Sequence, residues 1–252
     1  MEVNKIIRVA LEAGKVILEN GGETYRAEET MSKICSTYNI KDSDNYVTPT
    51  VIMISATDDS GKPVSLSRRI KYRTVDLDKI DKINNLSRSI KAYNLSINEV
   101  EEEIALIKKG ENYNDKLGIL FSCFISSFFT LLFGGNFNDF LIAFVIGAAL
   151  KLVLNFSNYL SVNTFFTNLL GGVTVASLTI LSSLFVKNIN IDKIIIGSIM
   201  ILVPGIAIVN AIRDTIAGDL ISGTVRAVEA FLIAIAIAVG TGLILKLWFP
   251  HL

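Results

Sequence analysis

Histidine is nearly absent from this chain: one occurs in 252 residues, and it is His251, next to the C-terminus. Triads and zinc sites built on imidazole therefore lose most of their support. Cysteine is scarce as well. Cys35 lies among charged residues and Cys123 in an apolar run, with no second cysteine or histidine near either. No disulfide frame or metal site follows from that, so the expected metal set is empty. No P-loop is present, which argues against ATP-driven pumping in this chain, and no cofactor is expected. The formal net charge is zero, so nothing argues for nucleic acid as a partner. Met1–Leu18 is charged and amphipathic. It lacks the apolar core and small-residue cleavage site of a signal peptide.

The most telling scarcity is of charge in one half. Of 24 Lys and Arg, only Lys151, Lys187, Lys193, Arg213, Arg226 and Lys246 lie beyond Lys116. Of 24 Asp and Glu, only Asp139, Asp192, Asp214, Asp219 and Glu229 do. A charge near the bilayer centre costs roughly 2.5–3.5 kcal/mol or more, so a half cleared of charge is shaped for lipid. Mean hydropathy is +0.50, and the apolar excess sits in that half.

Residues 1–112 read as a cytosolic α+β domain. Ile7, Ala10, Leu11, Gly14, Ile17 and Leu18 share one helical face, and Gly21-Gly22 breaks that helix. A second helix is expected from about Thr24 to Tyr38. A β-branched strand follows at about 46–56, then a turn at Asp58-Asp59-Ser60-Gly61. The next strand alternates Val64, Leu66, Ile70 and Tyr72, a face interrupted by Arg68, with Ser65, Ser67, Arg69, Lys71 and Arg73. Its basic face reads better as a solvated surface than as an anion site. Asp76 caps a helix over about 77–93, and Ser96–Glu99 forms a capping box for another.

Residues 113–252 read as an all-α transmembrane domain with five helices, at about 117–133, 139–155, 165–186, 194–212 and 227–249. Each is near the roughly 20 residues that cross a bilayer. Lys108, Lys109 and Lys116 precede the first span, and no Lys or Arg follows it before the next. This asymmetry places the N-terminal domain in the cytosol.

The fourth span carries Pro204-Gly205, a pair that breaks a helix at membrane depth and frees carbonyls toward a cavity. Asn210 and Asp214, four residues apart, share a face with Arg213 nearby. Against this stands a packing kink that ends in an interfacial Arg–Asp pair. The loop after Asp214 contains Asp219 and is apolar enough to be re-entrant. Glu229 lies just inside the fifth span. It reads either as a surface partner of Arg226 or as a proton-carrying carboxylate facing the same cavity.

Two stretches resemble the threonine/serine exporter family. Gly22-Glu23-Thr24-Tyr25-Arg26-Ala27-Glu28-Glu29-Thr30-Met31 is similar to the family's N-terminal signature. Val203-Pro204-Gly205, then Asn210-Ala211-Ile212-Arg213-Asp214, then Gly218-Asp219 and Ser222-Gly223, are similar to its membrane signature. The resemblance implies a secondary-transporter subunit in the plasma membrane that exports a small polar metabolite, either an amino acid like threonine or serine or a dicarboxylate. With no nucleotide motif, export is expected to run down a gradient or be coupled to protons through Asp214 or Glu229, and no enzyme activity is expected. A membrane-tethered enzyme or sensor using the cytosolic domain is the alternative. The candidate pathway residues are Pro204, Gly205, Asn210, Arg213, Asp214 and Asp219, which fall in the membrane signature, and Glu229, from its place at the start of the fifth span. The implied cytosolic motif is Glu23, Thr24, Tyr25, Arg26, Glu28 and Glu29. The family also has a second, smaller hydrophobic part, so the expected partners are the bilayer, a second small hydrophobic chain and a further copy of this chain.

Overall fold

The computed structural model describes residues 3–40, 42–58, 61–110 and 114–249. His251, and Asp59 and Ser60 of the expected turn, lie outside the described residues. The described chain forms ten helices and one small sheet. In order these are α1 (Val3–Glu19), α2 (Thr24–Thr37), β1 (Ser43–Val47), β2 (Val51–Thr57), β3 (Pro63–Arg69), α3 (Leu77–Tyr93), α4 (Ile97–Lys109), α5 (Asp115–Leu132), α6 (Phe137–Tyr159), α7 (Thr164–Phe185), α8 (Ile191–Ile199), α9 (Gly205–Ile216) and α10 (Leu220–Trp248).

This corrects the expected fold class of an α+β cytosolic domain followed by a five-helix all-α membrane domain. The chain is predominantly helical throughout, with three short strands. Four helices are long and apolar enough to cross a membrane, namely α5, α6, α7 and α10. The expected span at 194–212 is two short helices, α8 and α9, of 9 and 12 residues. At 1.5 Å per residue they reach about 14 and 18 Å, well short of a hydrocarbon core of about 30 Å. The cause is local. Pro204 has no amide hydrogen to continue a helix, and Met200–Pro204 turns instead. Residues 206–228 moreover belong to a compact unit with Met1–Glu111, while Asn112–Gly205 and Glu229–Leu252 form the second unit.

In the first unit α1 is the central element. Ile7, Leu11, Ile17 and Leu18 are almost fully buried, and the same core holds Met31 and Ile34 of α2, Ile52 and Ile54 of β2, Ile83 and Ile90 of α3, and Val100 of α4. The sheet is antiparallel in the order β1-β2-β3, with Asn45 opposite Ile54 and Ile54 opposite Leu66. Ile54 is buried while Met53 is half-exposed, the alternation of a sheet with one wet face. Both expected caps form. Asp76 accepts from Lys79 N at 3.2 Å, and the Ser96–Glu99 box closes with bonds of 2.7 and 3.4 Å.

The second unit is built on an inner seam of small and polar residues. On α5, Ser122, Cys123, Ser126, Ser127 and Thr130 are buried, and Ser126 Oγ donates to Ser198 Oγ of α8 at 2.7 Å. Gly197 lies directly over Thr130, where a Cβ would overlap that residue. Close backbone approach of this kind, with hydroxyls bonded across it, is how helices associate without a hydrophobic driving force. The outer surface is apolar: Phe121, Leu132, Phe137, Leu152, Phe166 and Leu184 are exposed. Asp139 is fully buried at the start of α6. Its carboxylate accepts from Asn136 N at 2.7 Å, Asn190 N at 2.9 Å and Asn190 Nδ2 at 2.8 Å, tying the link before α8 to the start of α6.

Candidate functional site

The α1–α2 connection is short and tightly constrained. Gly21 has φ +90°, a left-handed value that suits glycine. A Cβ on Gly22 would overlap Ile17 Cγ2, so only glycine lets the chain fold back onto α1. The fold-back turns the two carbonyls outward. Asn210 Nδ2 donates to Gly21 O at 2.8 Å, and Arg226 Nη2 donates to Gly22 O at 2.7 Å. All these residues lie in the first unit.

Thr24 opens α2, and it is fully buried. Its hydroxyl contacts Asp214 Oδ1 at 2.9 Å and Asp219 Oδ2 at 3.2 Å, and its N–H donates to Asp214 Oδ1 at 3.4 Å. The N-cap residue itself, Glu23, makes no side-chain cap bond. Asp214 therefore caps α2 from a distant segment, and its negative charge meets the positive end of the helix dipole. Asp214 Oδ2 lies 3.0 Å from Arg226 Nε in an ion pair of charge rather than of aligned hydrogen bonding. Both partners are buried, Asp214 completely and Arg226 to 5% exposure.

Glu23 forms the outer half of the cluster. Its carboxylate accepts from Arg26 Nε at 2.7 Å and from Arg213 Nη1 at 2.5 Å. Burial pushes this carboxyl up, but the Arg26 bond, its own backbone N–H and Arg213 outweigh that and hold it at about 2. Arg26 also stacks over the Tyr25 ring, 5.9 Å from its centroid. Glu28 accepts from Val47 N at 3.0 Å. Burial first, and then the negative charges of Asp219 and Asp214, push the Glu28 carboxyl above its ordinary value.

The structure thus brings together Glu23, Thr24, Arg26, Asn210, Arg213, Asp214 and Asp219, with Glu28 close enough to sense the charges. Asn210 and Asp214 bond to the α1–α2 connection. Tyr25 and Glu29 are exposed. Pro204 precedes α9 and Gly205 begins it, where a Cβ would meet nothing. Glu229 lies on α10, three residues past Arg226 and half-buried. Sequence reasoning missed the roles of the Gly21 and Gly22 carbonyls and the pairing of Arg226 with Asp214. The two carbonyl contacts join segments 189 and 204 residues apart, whereas Arg226 and Asp214 are near in sequence and the polar Arg226 among apolar neighbours was a visible signal. No trio of His, Cys, Asp or Glu among the described residues could hold a metal ion. Cys35 is buried, and burial pushes its thiol up to about 11, which makes it a poor nucleophile.

Four long apolar helices whose outward faces are apolar define a membrane protein. The chain belongs to the threonine/serine exporter family: the family described as "Putative threonine/serine exporter" (ThrE) matches residues 8–248. It is 24% identical to a threonine/serine exporter of Corynebacterium glutamicum over 98% of this chain and 52% of that protein. It is 20% identical to a probable threonine/serine exporter of Mycobacterium tuberculosis over 95% of this chain and 46% of that one. It is 18% identical to the probable succinate transporter subunit YjjP of Klebsiella aerogenes, over 98% of this chain and 95% of that one. The chain therefore spans about half the length of the two exporters. No solved structure matches it.

Proposed function

We propose that this chain is a subunit of a secondary transporter in the plasma membrane that exports a small polar metabolite, an amino acid like threonine or serine or a dicarboxylate. Its N-terminal unit is cytosolic, and its partner is a second small hydrophobic chain of the same family. Family membership supports the transport class. The near full-length match to a protein named as a transporter subunit, beside half-length matches to the exporters, supports a two-part assembly. Lys108, Lys109 and Lys116 ahead of α5, with no Lys or Arg in Phe133–Asn136, support the orientation.

One observation carries the assignment of residues: Asp214 and Asp219 converge on the hydroxyl of Thr24, with Arg213 and Arg26 on Glu23 beside them. A metabolite bearing an ammonium or hydroxyl and a carboxylate finds partners of both signs there. Thr24 holds the acidic side with the same hydroxyl chemistry that such a substrate presents. The cluster then acts as a latch. Substrate competes for Asp214 and Asp219, and release of the α1–α2 connection lets α9 move about the Pro204-Gly205 link. A proton on Asp214 would lower the cost of separating it from Arg226, linking the step to a gradient.

The test is efflux of labelled threonine, serine and succinate from proteoliposomes holding this chain with and without a second family chain. Efflux that needs both chains and falls when the proton gradient is collapsed supports the proposal. No efflux above empty vesicles in either case overturns it.

A further inference from the structure

A second feature of the first unit has no part in that latch. Between α1, α4 and β3 lies a cleft of about 290 Å³. Its floor is apolar, made by Val9 and Ile104, both buried. Its rim is charged, with Arg8, Arg68 and Lys108 set against Glu12 and Glu101.

The charges on the rim are not fully matched. Lys108 Nζ donates to Glu12 Oε2 at 2.8 Å, and Lys5 pairs with Glu101 at 3.1 Å. Arg68 Nε is 3.9 Å from Glu12 and is the looser ionic partner, and its Nη1 donates to the neighbouring Ser67 carbonyl at 3.1 Å. Among the described residues Arg8 has no hydrogen-bonded or ionic partner. Burial pushes the Glu12 carboxyl up, but Lys108, with Lys15 and Arg68, brings it below its ordinary value, so it stays ionised and occupied. One guanidinium is left uncommitted and a second is weakly held, both above an apolar floor.

We propose that this cleft binds a small monocarboxylate with a short apolar tail, as an effector site separate from the Thr24–Asp214 cluster. The planar guanidinium forks of Arg8 and Arg68 match a carboxylate, while the tail covers Val9 and Ile104. The cleft volume is at the lower end of small-molecule sites, which begin at about 300 Å³, so the tail is short. An amine would meet Arg8 as a like charge. A bare inorganic anion would leave the apolar floor wet.

The experiment uses the full chain in detergent micelles and isothermal titration calorimetry, with isovalerate as the probe. Isovaleramide tests the charge, and inorganic phosphate tests the tail. Saturable isovalerate binding is expected, about tenfold weaker for the amide and about tenfold weaker after Arg8→Gln, since a charge-assisted pair contributes roughly that factor. Arg68→Gln provides the second variant, and thermal unfolding checks that both remain folded. Equal binding of acid and amide, equal binding of phosphate, or no effect of either substitution overturns the proposal. So does the lack of saturable binding at a Kd of about 1 mM or tighter, roughly 4 kcal/mol of binding free energy. Asp214→Asn should leave isovalerate binding unchanged, which separates failure here from failure of the transport reading.

Discussion

The Thr24 hydroxyl donates to Asp214 Oδ1 at 2.9 Å, joining the first turn of α2 to the last turn of α9 across 190 residues. Both side chains are fully buried. A buried carboxylate that loses a donor suffers the full desolvation cost, so the bond matters more when broken than its net strength suggests. Thr24→Val keeps the shape and removes the donor. It is expected to lower stability by about 1–3 kcal/mol, read as a lower midpoint in thermal or denaturant unfolding. Thr24→Ser keeps the hydroxyl and should retain most of that stability. Equal losses for the two variants would show that packing, and not the hydrogen bond, is what counts.

Asp214 and Arg226 should respond asymmetrically. Asp214→Ala removes the buried carboxylate that lies 3.0 Å from the Arg226 guanidinium, at a cost of about 3 kcal/mol. The double substitution Asp214→Leu with Arg226→Met removes both charges and should recover a large part of the loss in unfolding experiments. It should still abolish efflux in proteoliposomes if the cluster serves as the latch. Retained efflux in that stable double variant would assign the pair a purely structural role.

Glu23 makes stability depend on acid pH. Its folded pKa of about 2 lies below the ordinary 4.5, so the folded state binds fewer protons than the unfolded one. The contribution, about 3 kcal/mol, is present in full above the unfolded value and is lost as pH falls from about 4.5 toward 2. Unfolding midpoints measured through that window should drop less for Glu23→Gln than for the parent. Parallel curves for the two proteins would mean that Arg26 and Arg213 do not hold the carboxylate in solution.

The α1–α2 connection should tolerate nothing larger than glycine at position 22. Gly22→Ala places a Cβ against Ile17 Cγ2 and the Ile17 carbonyl. Overpacking of this kind costs about 1–3 kcal/mol. The displaced carbonyl would also lose Arg226, so a shift in unfolding midpoint accompanied by loss of efflux is expected. Gly218→Ala, where a Cβ meets nothing, tests backbone strain at φ +95° without a clash.

Asp139 offers a test in the second unit. It accepts three N–H bonds, and asparagine would turn a donor toward one of them. Asp139→Asn is expected to cost about 1–3 kcal/mol in detergent unfolding, and Asp139→Glu to recover little, because the site is fully buried. Wild-type stability of the asparagine variant would mean that the clasp on the link before α8 is dispensable.

Much of the local structure was written in short-range pattern. The Ser96–Glu99 box, the Asp76 cap and the Gly21-Gly22 break each involve residues within a few positions, where helix-end chemistry acts directly. The long apolar runs of α5, α6 and α7 follow from the exclusion of charge from lipid, which composition alone displays. Tertiary structure decided the rest. A mostly apolar window of 19 residues at 194–212 looks like one span to any hydropathy count, yet Pro204 and the turn before it split it into α8 and α9. Asn210, Arg213 and Asp214 were visible as polar residues after an apolar run, and Glu23, Thr24 and Arg26 as helix-start residues of a distant motif. Their meeting could not be read from either stretch, because a buried hydroxyl and a buried carboxylate choose one another only when the fold removes water from both.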